Sequence, residues 1–219
     1  MLLCLQNVCS AEAVTQLREL ASESEYADGR KTAGWAAREV KRNEQVEAGP
    51  RIDTIRGMVR KALMDHPLFV SFAQPKSITR MLVSRYTPGM EYGLHVDDAL
   101  MGGRRADLSF TLFLSEPDSY DGGALVMDGV DGETEIKLAP GEAVVYPTAA
   151  LHRVSPVTKG ERLAVVGWVR SLVRRPDQRE ILFDLDRACR SLFERSGKTP
   201  ELDLLLKSKA NLLRQWAED

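Results

Sequence analysis

The spacing of apolar residues divides the chain into a helical entry, a strand-rich middle and a helical exit. Residues 2–8 read as a first strand. Ser10 then offers an N-cap oxygen, and Val14, Leu17 and Leu20 follow on one helical face. Residues 24–50 are polar and weakly periodic, which predicts a solvated loop. Ile52, Ile55, Val59, Ala62 and Leu63 return to helical spacing. That helix must stop at His66-Pro67, because a residue before proline disfavours the α region. His66 is expected to cap this end, where a partial positive charge is favourable, and is assigned no catalytic role.

The period then shortens to two. Ile78 to Tyr86 reads as a strand followed by a Pro88-Gly89 turn. Leu108, Phe110, Leu112 and Leu114 alternate with Ser109, Thr111 and Phe113. Short apolar runs follow at 123–127, 134–138, 142–146 and 163–169. Asp121-Gly122-Gly123, Asp131-Gly132, Pro140-Gly141 and Lys159-Gly160 punctuate them as turns. Strands without helical spacers over 78–170 predict an α+β, mostly β fold built on an antiparallel sandwich or jelly roll.

After Arg170 the helical period resumes. Arg174-Arg175-Pro176 reads as a linker with proline opening a helix, whose stripe is Leu182, Leu185, Cys189, Leu192 and Phe193. Thr199-Pro200-Glu201 restarts a helix with Leu202, Leu205, Leu206, Leu213 and Trp216 along its buried side. The expected division is a domain over 1–175 and a helical extension over 176–219. That extension is too small to hold its own core, so it either covers the β core or mediates a homodimer.

A formal charge of −2 gives no electrostatic reason to expect a nucleic-acid partner. No apolar run approaches the ~18 residues of a membrane span, and Met1-Leu-Leu-Cys-Leu lacks the charged start of a signal peptide. Cys4, Cys9 and Cys189 are odd in number, with no C-x-x-C spacing. They read as free thiols of a reducing cytoplasm, a compartment that also suits Fe(II).

The candidate chemistry lies in His95-Val96-Asp97, His152 and Arg162. In an extended segment, residues i and i+2 point the same way, so His95 and Asp97 can address one point. The intervening strands can return His152 to it. Two imidazoles and a carboxylate hold Fe(II) on one face and leave the other open. Two strands joined at the Lys159-Gly160 turn would set His152 and Arg162 at similar heights or one layer apart. There Arg162 could fork onto the carboxylate of an acidic co-substrate; alone, it would read as an exposed strand-end charge.

The run Arg85-Tyr-Thr-Pro-Gly-Met-Glu-Tyr-Gly-Leu-His-Val-Asp97, then Asp107 to Leu114 and Tyr120-Asp-Gly-Gly-Ala-Leu125, resembles the prolyl-hydroxylase-type branch of the Fe(II)/2-oxoglutarate oxygenases. More narrowly it is similar to the bacterial PKHD-type hydroxylases, as are Asp28 to Trp35, Phe183-Asp-Leu-Asp and the C-terminal extension. One departure is Ala124, where the group often carries an acid.

The resemblance implies a double-stranded β-helix with flanking helices, and iron ligands at His95, Asp97 and His152. It implies Arg162 on the distal carboxylate of 2-oxoglutarate. Tyr86 is either a further donor to that co-substrate or a packing tyrosine. It implies hydroxylation of a C–H bond with O2, as 2-oxoglutarate becomes succinate and CO2, and L-ascorbate as reductant. The substrate stays open between a peptide or protein and a siderophore-like small molecule linked to iron uptake. Asp28 to Gln45 and the loop from Asp98 to Arg105 are expected to border the substrate mouth or to be surface loops. A non-catalytic metal-binding module remains the alternative, distinguished by whether Fe(II) and 2-oxoglutarate bind together.

Overall fold

The computed structural model describes residues 1–218. The chain runs through β1 (Leu3–Leu5), α1 (Ala11–Ser22), β2 (Tyr26–Asp28), β3 (Lys41–Arg42) and β4 (Glu44–Val46). It continues with α2 (Pro50–Asp65), α3 (Pro67–Ala73), β5 (Pro75–Tyr86), β6 (Glu91–His95), β7 (Leu100–Met101), β8 (Arg104–Arg105) and β9 (Leu108–Phe113). Next come β10 (Asp121–Gly122), β11 (Leu125–Gly129), β12 (Gly132–Ile136), β13 (Ala143–Pro147), β14 (His152–Val154), β15 (Val157–Lys159) and β16 (Arg162–Ser171). Helices α4 (Pro176–Ser196) and α5 (Pro200–Trp216) end the described chain.

The strands form two main antiparallel sheets. One has the order β1-β13-β9-β16-β5-β4-β2 and the other β12-β11-β14-β6-β3; β7-β8 and β10-β15 are separate short ladders. Strand β9 is buried on both faces. Leu108, Phe110 and Leu112 join the main apolar core with α1, α2, α3 and Phe183 of α4, while Ser109 and Thr111 line a cavity on the other side. Gly167 of β16 gives the Phe110 ring its space, since a Cβ there would come within 2.5 Å of it. Burying such a ring contributes roughly 2–3 kcal/mol.

Several expectations shift. The first strand covers only Leu3–Leu5. The polar stretch 24–50 is not a plain loop: β2, β3 and β4 dock on the edges of both sheets. His66 does end α2, but its ring serves the next helix. Nδ1 accepts from Phe69 N at 3.4 Å, leaving Nε2–H for Gln6 O at 3.1 Å. Helix α3 was not expected; Pro67 opens it and Gln74 closes it in the left-handed conformation.

The caps of α1 and α5 form as anticipated. Ser10 Oγ accepts from Ala13 N, and Thr199 Oγ1 accepts from Leu202 N. The stripe on α4 is rotated from the expected one: Leu182, Phe183, Asp186 and Cys189 are buried, whereas Phe193 is 56% exposed. On α5 only Leu202 is fully buried, and Leu206 faces solvent.

Asp186 explains how a helix with so thin an apolar stripe docks. Its carboxylate accepts from Ser71 of α3 at 2.8 Å, Arg190 at 2.8 Å and Lys209 of α5 at 2.5 Å. Burial alone would raise its pKa, but these hydrogen bonds hold it down to about 2. The chain end is also fastened. Val173 bridges Ala217, Glu218 N donates to Leu172 O at 2.8 Å, and the Glu218 carboxylate accepts from Arg105 at 2.8 Å. Among the described residues, no helix is long and apolar enough to cross a membrane.

Candidate metal centre

Strand β6 ends on His95, and β14 begins on His152. The two are register partners across the antiparallel pair. Asp97 follows His95 after one residue, just beyond the strand. One ligand atom from each of His95, Asp97 and His152 lies within 4.8 Å of the others. His95 Nε2 is 3.8 Å from Asp97 Oδ1, and His152 Nε2 is 3.9 Å from Oδ2.

The backbone fixes both imidazole tautomers. Nδ1 of His95 lies 2.8 Å from Gly93 O, and Nδ1 of His152 lies 3.0 Å from Ala150 O. A carbonyl can only accept, so Nδ1 carries a proton and Nε2 is the nitrogen turned to the centre. Burial, followed by the neighbouring His152, pushes the His95 pKa down to about 4, so the ring is neutral as a ligand must be. Tyr92 stacks on His95 at 3.5 Å, and Tyr146 meets His152 edge-on.

Asp97 is oriented by donors that the sequence reading missed. Its Oδ2 accepts from Ser109 Oγ at 2.8 Å and from Trp168 Nε1 at 2.9 Å, and Thr148 Oγ1 stands 3.1 Å behind Ser109. The signal available was the pair of polar positions, Ser109 and Thr111, inside an otherwise apolar strand. Oδ1 is left for the centre.

Arg162 opens β16 directly opposite Tyr86 of β5. Its side chain is 1% exposed, with Tyr86 and Phe113 rings at 5.2 and 5.4 Å. Its Nε and Nη1 make no close hydrogen bond, and the buried Tyr120 hydroxyl is the polar group that interacts with the guanidinium. Gly123 permits this packing: at φ +63, an added Cβ would lie 3.0 Å from the Tyr120 ring and 3.1 Å from Arg162 Cδ. Burial raises the Tyr86 phenol, with Arg162 opposing; the phenol is therefore a donor at neutral pH.

His152 and Arg162 are not neighbours on a hairpin, as the turn signal suggested. β14 lies in the five-stranded sheet and β16 in the seven-stranded one. Ser155-Pro156 ends the first strand and β15 pairs elsewhere, with β10. The two side chains line one cavity from opposite walls. Thr32, Gly34, Ala37, Lys41, Asn43, Gln45, Asp98 and Met101 also line it, so both segments expected at the mouth do border it.

Two imidazoles and an oriented carboxylate, open on one side, suit a divalent transition metal. A buried, unpaired guanidinium in the same cavity suits an anionic ligand, since leaving it unpaired costs several kcal/mol. The residues present therefore fit iron with an acidic co-substrate.

Comparison with known proteins points the same way. Residues 81–170 match the 2OG-Fe(II) oxygenase superfamily, and residues 177–218 match the PKHD-type hydroxylase C-terminal domain. The chain is 71% identical over 219 residues to a PKHD-type hydroxylase of Maricaulis maris, covering 100% of both. It is 51% identical over 220 residues to one of Acaryochloris marina, again covering 100% of both. In fold it is similar to a Pseudomonas putida prolyl-4-hydroxylase crystal structure, with a TM-score of 0.54 and 23% identity over 78% of this chain and 92% of that one.

Proposed function

Because the chain belongs to the PKHD-type hydroxylases of the 2OG-Fe(II) oxygenase superfamily, we propose that His95, Asp97 and His152 hold Fe(II) and that Arg162 receives the distal carboxylate of 2-oxoglutarate. The observation that carries this reading is the sharing of one cavity by a three-ligand cluster and a buried guanidinium without a counter-ion. Bound there, iron with 2-oxoglutarate and O2 supplies the oxidation that yields succinate and CO2 and hydroxylates a substrate C–H bond.

The protein's part is placement. The Gly93 and Ala150 carbonyls hold both imidazoles in the ligating tautomer. Ser109 and Trp168 fix one oxygen of Asp97 and leave the other to bind. The Arg162 fork selects a diacid long enough to span from metal to guanidinium. Tyr86, opposite Arg162, supplies a neutral hydroxyl donor to the same ligand. Leu82, Val166 and Trp168 line the cavity with apolar surface that limits water.

On this reading the two sheets form the double-stranded β-helix of the family. Residues 1–175 are the oxygenase domain, with its jelly-roll core at about 78–170, and 176–219 are a helical extension. The substrate is a peptide or protein, or a siderophore-like small molecule tied to iron uptake. L-ascorbate serves as reductant, the cytoplasm as compartment, and the half-covered α4–α5 pair as a homodimer contact. No nucleic-acid partner is proposed. Anaerobic titration with Fe(II) and 2-oxoglutarate tests the core of the reading. A metal-to-ligand charge-transfer band that needs both components is expected; its absence would sink the assignment.

A further inference from the structure

The segment from Lys41 to Val46 crosses between the sheets. Lys41 of β3 pairs with Tyr92 of β6 in the five-stranded sheet, and Gln45 of β4 pairs with Ser84 of β5 in the seven-stranded one. Lys41, Asn43 and Gln45, at alternate positions, all line the metal cavity and are all buried.

Gln45 is better satisfied than the other two. Its Oε1 accepts from Thr32 Oγ1 at 2.7 Å. Lys41 is 5% exposed, and its ammonium donates to Thr32 Oγ1 at 3.2 Å and sits 4.7 Å over the Tyr92 ring. Among the described residues, no carboxylate comes within ion-pair distance of it. Asn43 is 4% exposed; its side-chain amide makes no close hydrogen bond, and the Tyr86 hydroxyl is the polar group that interacts with it. A lysine is almost never fully buried unless paired, and an unpaired polar amide in the interior is equally costly. Asp97 and, more weakly, Asp28 act on the ammonium from beyond contact distance, and Arg80, on the β5 face that also carries the cavity residues Leu82 and Ser84, opposes them.

Co-substrate does not use up this charge. The metal and Arg162 already provide for the two carboxylates of 2-oxoglutarate, and the Asp97 carboxylate whose field reaches Lys41 is itself taken up by the metal, which leaves the ammonium without an anion in contact. On the reading that this cavity binds iron and 2-oxoglutarate, we propose that Lys41 and Asn43 seat a carboxylate of the molecule that is hydroxylated, so that the substrate is an organic acid. The hydrogen bond to Thr32, itself held by Gln45, aims the ammonium. Leu82, Met101, Val166 and Trp168 give the remainder of such a molecule an apolar wall.

The test uses the full-length protein and two small probes, N-acetylglycine and its neutral amide, N-acetylglycinamide. The Fe(II)·2-oxoglutarate charge-transfer band is recorded first, and without it the site reading and the proposal fall together. With the band established, Mn(II) replaces Fe(II), and paramagnetic relaxation of the probe protons is measured with 2-oxoglutarate present. The carboxylate is expected to bind about tenfold more tightly than the amide, as a charge-assisted hydrogen bond implies. Lys41→Met should erase the difference, and Lys41→Arg should recover part of it. Equal relaxation by the two probes in the wild-type protein overturns the proposal. So does a preference that persists in Lys41→Met, which would put the carboxylate on the metal. Comparing the probes on the unaltered chain keeps the test valid even if a variant folds poorly.

Discussion

His95 and His152 face each other as register partners on adjacent antiparallel strands, their ring centroids 4.3 Å apart. Two of the three candidate ligands are thus set by one strand pairing, and only Asp97 depends on the chain beyond a strand end. A one-residue slip of this pairing would send one imidazole to the far side of the sheet. The site is consequently as well specified as the register itself.

His95→Ala and Asp97→Ala should each abolish the Fe(II)·2-oxoglutarate charge-transfer band and iron-dependent succinate formation while the circular dichroism spectrum stays native. Undiminished succinate production by either variant would refute the ligand assignment.

Arg162→Ala should raise the KM for 2-oxoglutarate by at least about 30-fold, the ~2–4 kcal/mol of a truncated buried charge pair. Tyr86→Phe should cost only about fivefold, near 1 kcal/mol for one hydrogen bond. Kinetics with varied 2-oxoglutarate separate the two. An unchanged co-substrate dependence in Arg162→Ala would reduce the arginine to a packing group.

Gly123→Ala should destabilise the fold by about 1–3 kcal/mol, because φ +63 is strained for alanine and the new methyl presses on Tyr120 and Arg162. It should also weaken 2-oxoglutarate binding by tilting the guanidinium. Urea unfolding together with a co-substrate titration would show both effects, and wild-type values in both would contradict the packing described.

Asp186→Asn should cost about 2–3 kcal/mol at neutral pH by breaking the link among α3, α4 and α5. The pH dependence has a defined sign. The folded-state pKa is depressed to about 2, below the ~3.9 of an unfolded chain. The carboxylate's contribution is therefore present in full above about pH 5 and fades as pH falls toward about 2. Urea midpoints of wild type and variant should converge over that window. A gap that stays constant would show that Asp186 acts through shape and not charge.

The strand-rich middle was legible because its strands are long enough to show a period. Leu108 to Leu114 alternates over a full strand, and its turns carry glycines at positive φ, as at Gly122, Gly123, Gly132 and Gly141. The pieces β2, β3 and β4 are two or three residues each, too short for any period to register. Their partners are also distant in sequence, so Lys41 and Asn43 looked like loop residues. Asp186 escaped notice because an acid within a leucine stripe reads as a break in that stripe, and its partners lie on two other helices. The opposition of His152 and Arg162 was misread because a Lys-Gly turn announces a hairpin without saying which strand each arm joins.

The bridge between Val173 and Ala217, with Glu218 on Leu172 and Arg105, turns the last two helices into a closed loop. Ordinary chain ends fray independently of the body they hang from. Here Ala217 and Glu218 are sewn back to the place where the loop leaves the β core, next to the Arg105 strand whose neighbour Met101 lines the cavity. Amide protons of α5 should therefore exchange with the core's own cooperativity and not as a separate, weaker unit.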